Sequence, residues 1–210
     1  MSESLPFEVE VWFDLVCPFC YIGKRRLERA LAALGRPVRR VYRSFQLSPD
    51  APRQTDLDLN VLLGQRYGLS RSQATEANAQ VAELGRQYGL HFDFAAARWA
   101  NSLDAHRLLK LAALFGRQDA LLELLYSAFF AQGLPIGEPA TLKTLAACAQ
   151  IPAEEVEHLL ASERFRDELA ADRVMALRLG VQSVPTYRIR DRMMRSEDIT
   201  PEALVRLANT

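Results

Sequence analysis

The sequence predicts an α/β fold in which one sheet is laid down in two halves, on either side of a long all-helical insertion. Three observations carry this expectation. Two strand-like stretches joined by a helix-like one occupy about the first forty residues, the β-α-β unit that normally makes parallel strands. From Asp56 to Leu179, segments of helical period follow one another with no strand pattern between them. After Gly180 a strand pattern returns, then a second short strand and a last helix. The expected order is β-α-β, a helical block, then β-β-α. The sheet-bearing domain is expected over residues 7–50 and 181–210, and the inserted helical subdomain over 51–180.

Each element has its own local reason. Val9, Val11, Phe13 and Leu15 alternate with Glu10, Trp12 and Asp14, the period of a strand. The second face is partly apolar as well, as for a strand covered on both sides. Pro18 suits the first turn of a helix through Ile22, Leu27, Ala30, Leu31 and Leu34, and Gly35 can end it. "VRRVYRSFQL" reads as the second strand. Ser70 and Gln73 have the spacing of a capping box. "GQRYGL" and "GRQYGL" nearly repeat, and two copies are too few for a repeat array; they read as two helices with the same glycine stop at Gly68 and Gly89. Asn101 or Ser102 can cap the next helix, "LLELLYSAFF" reads as buried, and Pro139 and Pro152 suit two later helix starts. A helix from about Glu163 to Leu179 closes the block at Gly180. "VPTYRIR" and "RMMR" follow as strands, and Thr200-Pro201-Glu202 caps the final helix.

Composition narrows the function classes. The chain has 210 residues, 49% of them apolar, which is enough for a full core. The 26 basic and 26 acidic side chains balance, which argues against a dedicated nucleic-acid or anionic-membrane surface. "MSESLPFEVEVWF" has no basic start and no apolar stretch before a small-residue cleavage site, so no signal peptide is expected. Nowhere does the chain sustain the roughly 18 apolar residues of a membrane span. A cytoplasmic protein is therefore expected. In that reducing setting a close cysteine pair reads as catalytic or metal-binding rather than as a structural disulfide.

That pair is Cys17-Pro18-Phe19-Cys20. With Cys17 at the N-cap, its sulfur faces the free N–H groups of the first turn, and the helix dipole favours thiolate over thiol. Thiols in such motifs titrate as low as about 3.5–7.5. Cys20, one turn on, can resolve a mixed disulfide formed at Cys17. Phe19 offers an apolar rim. A zinc site would need further ligands, and Cys148, His91, His106 and His158 have no partner spacing. Pro185 in "SVPTYRI" can start a strand with a cis X–Pro bond, which costs only about 0.5–1 kcal/mol. A proline there exposes the Val184 backbone to an extended substrate.

Four stretches carry a family resemblance: "FDLVCPFCYIGKRRLE", "RSFQLSPDAP", "NSLDAHRLLKLA" and "GVQSVPTYRI". The chain resembles the DsbA-like thioredoxin-fold family, and within it the FrnE-like cytosolic branch. The resemblance implies a thioredoxin fold with an inserted helical domain and thiol–disulfide oxidoreductase or isomerase activity. By position it implies Cys17 as nucleophile, Cys20 as resolving thiol and Pro185 as the cis-proline facing them. Val184, Phe19, Pro18, Asn101 and His106 are the substrate-side candidates. Where relatives often carry a small-residue "Gly-Ala-Gln" type stretch, this chain has "RSEDIT". Protein or peptide disulfides are the expected partners, with glutathione as a candidate co-substrate and no metal or organic cofactor.

Two other readings stay open. A glutathione-dependent isomerase or transferase of the kappa-class or 2-hydroxychromene-2-carboxylate isomerase type would share the fold, although such relatives typically have Ser in place of Cys17. A redox-sensing peptide-binding module would tolerate loss of Cys17. Several residues read as structural. His106 fits between helices with a backbone bond, Asn101 serves as a cap or points toward the cysteines, and Asp14 is a hydrogen-bonded strand-end acid or a proton relay to Cys20. Cys148 in "LAACA" reads as a buried small hydrophobe, and Met193 and Met194 as strand packing. Lys24, Arg25 and Arg26 read as a solvated helix face that can favour an anionic thiol.

Overall fold

A computed structural model describes residues 7–53 and 55–209. The reading of Met1–Pro6 as lacking a leader lies outside them. The chain opens with β1 (Phe7–Phe13), α1 (Pro18–Ala32) and β2 (Val38–Ser44). The helices α2 (Leu59–Tyr67), α3 (Arg71–Arg86), α4 (Leu103–Leu114), α5 (Gln118–Phe130), α6 (Pro139–Cys148), α7 (Ala153–Leu160) and α8 (Arg166–Arg178) follow. The chain then returns to the sheet with β3 (Thr186–Ile189) and β4 (Arg192–Arg195), and ends with α9 (Pro201–Ala208).

The strands lie in the order β2-β1-β3-β4. β1 pairs parallel with β2 and antiparallel with β3, which pairs antiparallel with β4. The β-α-β crossover thus makes the parallel pair and the hairpin makes the antiparallel one, as loop length dictates. β1 is buried on both faces. Val9, Val11 and Phe13 join a core continuous with Leu27 of α1, Leu204 of α9 and the apolar faces of α4 and α5. On the other face Trp12 packs with Phe45, Ala176 and Val181, and its indole N–H donates to the Asp172 carbonyl at 3.2 Å.

Polar groups on that second face are paired, as burial requires. Glu10 is 3% exposed and takes Arg43 at 2.6 Å from the neighbouring strand, with Arg188 on its other side. Asp172 of α8 accepts from Arg43, Lys110 and the Ser44 amide, which fastens α8 to the sheet.

The helix punctuation follows the sequence closely. Leu69 N–H bonds the Gly64 carbonyl at 3.1 Å and Leu90 N–H bonds the Gly85 carbonyl at 3.0 Å, so the near-repeat is one C-terminal motif used twice. Gly68 and Gly89 take the left-handed φ values of 66° and 73° that it needs. Ser70 and Gln73 form the reciprocal capping box on α3. Ser70→Ala is expected to cost about 1 kcal/mol, a fall of roughly 2–4 °C in a calorimetric melt for a chain of this size. Asn101 is not the cap of α4; Ser102 holds that place, and Pro152 caps α7 instead of opening it.

Candidate active site

β1 carries the chain to a turn at Asp14, and Cys17 then caps α1 from an extended backbone, φ −101° and ψ 111°. Pro18 occupies the first turn, where its missing N–H is not needed. The Cys17 amide donates to the Asp14 carbonyl at 3.4 Å, and the Cys20 amide donates to the Cys17 carbonyl at 3.0 Å. The Cys17 thiol makes no capping bond to its own helix. It points across the fold and donates to the Val184 carbonyl at 3.6 Å. The peptide that follows, Val184–Pro185, is cis.

Cys17 and Cys20 are both free and buried, at 5% and 3% exposure. The Cys20 thiol is pushed well above its ordinary value, by burial first and then by its hydrogen bond to the Cys17 thiol. Phe19, between them, is 49% exposed. It forms one wall of a groove floored by Ile22, Val184 and Pro185, with Arg26 and Arg195 on its sides. The "RSEDIT" stretch contributes Arg195, Ser196 and Glu197 to this groove.

A family model described as a DSBA-like thioredoxin domain matches residues 8–205. The chain belongs to that family. A probable DsbA oxidoreductase from Streptomyces coelicolor is 32% identical, with a TM-score of 0.89 over 97% of this chain and 90% of that one. The DSBA-like domain also shares its fold with two more distant structures. One is a cytosolic disulfide reductase, DsbM, from Pseudomonas aeruginosa, solved with glutathione; it is 18% identical, with a TM-score of 0.67 and 96% of each chain covered. The other is a 2-hydroxychromene-2-carboxylate isomerase, 16% identical, with a TM-score of 0.66 and 96% of each chain covered. No curated protein matches the chain.

Within the DSBA-like domain, Cys17, Cys20, Val184 and Pro185 meet at one point, with Pro18 in the first turn and Phe19 on the rim. His106 stands behind them: its Nε2 lies 3.2 Å from Asp14 Oδ1, its side chain is fully buried, and Nδ1 has no hydrogen-bond partner among the described residues. Its bond is to this carboxylate, not to a backbone group. Asn101 is a clamp between chain segments. Its amide donates to the Pro49 and Ala51 carbonyls at 2.9 Å, and its oxygen accepts from Leu103 N–H and Gln46.

Three expectations need correction. Lys24 and Arg25 are not a solvated face, because α5 covers them. Lys24 is 9% exposed and bonds Glu28 at 2.5 Å and Glu123 at 2.7 Å, and Arg25 bonds both of the same carboxylates. Burial pushes Glu123 up, but hydrogen bonds from Lys24 and Tyr21 outweigh it and hold the carboxyl below its ordinary value. Cys148 is exposed, since the buried stripe of its short helix runs through Leu142, Leu145 and Ala146 and leaves it to one side. Met193 is exposed on the edge strand, and only Met194 packs against the core.

Gly23 is a site residue that periodicity did not flag. A Cβ there would lie 2.5 Å from the Tyr187 hydroxyl and 2.9 Å from Pro185 Cγ, so the absent side chain is what lets α1 sit against the proline loop. The available signal was a glycine inside a helical pattern. Gly23→Ala gains about 1 kcal/mol of helix propensity but must overpack a buried ring and the proline, which typically costs about 1–3 kcal/mol. A lower melting temperature is expected, with slower disulfide exchange because the displaced group is Pro185.

Proposed function

We propose that the chain is a dithiol–disulfide oxidoreductase that works through Cys17 and Cys20 on protein, peptide or small-molecule disulfides. The observation that carries this is the Cys17 sulfur at a helix start, against the Val184 carbonyl, with a second thiol one turn behind it. In the cycle, Cys17 attacks a substrate sulfur and leaves a mixed disulfide. The extended substrate then takes over the Val184 backbone that Cys17 occupies in the free protein, and Cys20 displaces it. The dithiol is its own redox group. Val184, Phe19 and Pro18 border the substrate, while Asn101 and His106 serve it by holding the loops behind the dithiol.

Glutathione is the proposed small co-substrate. A structural neighbour was solved with it, and Arg26 and Arg195 flank the groove with cations that suit its carboxylates. Action in the cytoplasm is proposed on the same grounds, a neighbour described as cytosolic. Among the described residues no helix is long and apolar enough to cross a membrane. Oxidation, reduction and isomerisation use one site and differ in the relative stability of the two redox states.

The test is insulin reduction by dithiothreitol with the wild-type protein, alongside its redox equilibrium with glutathione. Acceleration of precipitation is the expected result, and its absence would sink the reading. A glutathione-dependent isomerase is the second reading, favoured by the shared fold of a 2-hydroxychromene-2-carboxylate isomerase. It needs no second thiol, so the Cys20 variant separates the two.

A further inference from the structure

β4 is an outer strand of the sheet, and among the described residues no strand lies beyond it. Its hairpin with β3 turns on Arg190 and Asp191, so Ile189 and Arg192 form the hydrogen-bonded closing pair. Antiparallel ladders alternate such pairs. Met194 therefore bonds inward to Tyr187, while Met193 and Arg195 turn their backbone N–H and C=O groups outward. The Arg195 amide is already taken: it donates to Asp198 Oδ2 at 3.0 Å. Met193, 38% exposed, holds the open edge. Beside it runs a second groove of about 610 Å³, floored by Met194, Ala203 and Leu207 and rimmed by Arg192, Arg206 and Asp198.

Position links this groove to the one beside the dithiol. Arg195, Ser196 and Glu197 line the first groove, and Asp198, the next residue, lines the second. The short 3-10 turn Ser196–Asp198 divides them. Charge then selects the occupant. Two copies of this chain joined edge to edge would set Arg192 and Arg195 of each against those of the other, and like charges facing across a sheet repel. A strand that carries a carboxylate meets no such barrier. Arg192 stands next to the open Met193 backbone, whereas Arg206 has Glu202 one turn before it. Length matters too. From Val184 to the far end of β4 the path crosses two strand spacings and runs along four residues, roughly 20 Å. Glutathione, a tripeptide, spans only about 10 Å.

We propose that the open edge of β4 and the groove beside it bind a polypeptide substrate away from the reacting sulfurs. An extended segment, about six residues or more from the substrate cysteine, adds to the sheet at Met193. The Met193 N–H donates to it and the Met193 carbonyl accepts from it, as in other strand additions. An apolar side chain of the segment rests on Met194, Ala203 and Leu207, and a carboxylate meets Arg192. The inference rests on the dithiol reading above and names protein chains as the substrates that gain from the second groove. No residue of this edge touches sulfur. The exchange at Cys17 is the same for short and long substrates, and only the long ones gain binding.

The test mixes reduced protein with peptides whose single cysteine carries an aromatic thiol that leaves as a coloured thiolate. This first phase reports attack by Cys17, and its second-order rate is the readout. Two peptides of about twelve residues have the cysteine near the amino or the carboxyl end and alternate leucine and glutamate in the remote half. Each is compared with its own truncation to the three residues around the cysteine. Wild type is expected to favour one long peptide over its truncation by roughly tenfold, the factor that two net hydrogen bonds supply. Met193→Pro deletes an outward N–H, a change edge strands tolerate, and Arg192→Ala removes the cation while keeping the edge. Both should lose most of the preference and keep the wild-type rate on the truncated peptides. A wild type without preference would overturn the proposal, as would variants that keep it or that slow short and long peptides equally. Absence of a first phase in wild type with every peptide would instead remove the dithiol reading, and the second groove's role with it.

Discussion

Cys17→Ser is expected to lose disulfide exchange altogether, whereas Cys20→Ser is expected to attack once and stop as a mixed disulfide. The asymmetry follows from where the two sulfurs sit. Cys17 occupies the helix start with its sulfur against the carbonyl of Val184, a residue that lines the groove, so it is the sulfur placed to meet a substrate there. Cys20 lies one turn further along α1, with burial pushing its thiol upward, so it does not compete for the first attack. A serine hydroxyl cannot replace a thiolate in exchange. Turnover of Cys17→Ser is expected to fall by roughly 10³-fold or more, the scale on which loss of a covalent nucleophile is felt. Cys20→Ser should keep the first-phase rate and accumulate a substrate adduct of one equivalent, read by intact mass. Catalysis that survives Cys20→Ser and depends on glutathione would transfer the chain to the single-thiol isomerase reading. Survival of insulin reduction in Cys17→Ser would exclude the dithiol reading.

The sequence announced the parts of this site that depend on neighbours along the chain. Alternation gave β1, Pro18 and the cysteine spacing gave the start of α1, and the Ser70–Gln73 pair gave the start of α3, because each is a short-range rule. The near-repeat around Gly64 and Gly85 was readable as a stop for the same reason. What stayed hidden depends on packing across the fold. Lys24 and Arg25 look solvated when only their own helix is considered, and Glu123, about a hundred residues on, pairs with both. A cavity behind Cys20 is likewise a product of β1, β2, α5 and β3 closing on α1. Gly23 carried a local signal, but its meaning, room for Pro185 and Tyr187, required the loop that touches it. The Cys17–Val184 contact joins positions 167 residues apart. Resemblance pointed to it; periodicity alone had no access to it.

Asp14→Ala is expected to be the most destabilising single change near the site, and its form decides between two roles for this acid. Asp14 is fully buried and accepts Leu15 N–H and Leu47 N–H, each at 2.7 Å, while its Oδ1 also meets His106. It therefore ties the end of β1 to the loop after β2 and to α4. Removing it strands a buried amide, a partly buried one and a histidine, at about 1–3 kcal/mol for each unsatisfied buried group. A total of roughly 3–5 kcal/mol is expected, a large share of a typical margin of 5–15 kcal/mol. At about 2–4 °C per kcal/mol, the melting temperature should fall by roughly 10 °C or more. Asp14→Asn keeps one acceptor oxygen and should fall between. A relay for Cys20 makes the opposite demand: Asp14→Asn would then melt near wild type and lose the pH dependence of resolution. The saturated carboxylate favours the first outcome, a protein that is easier to unfold but resolves its mixed disulfide with the wild-type pH profile while it remains folded.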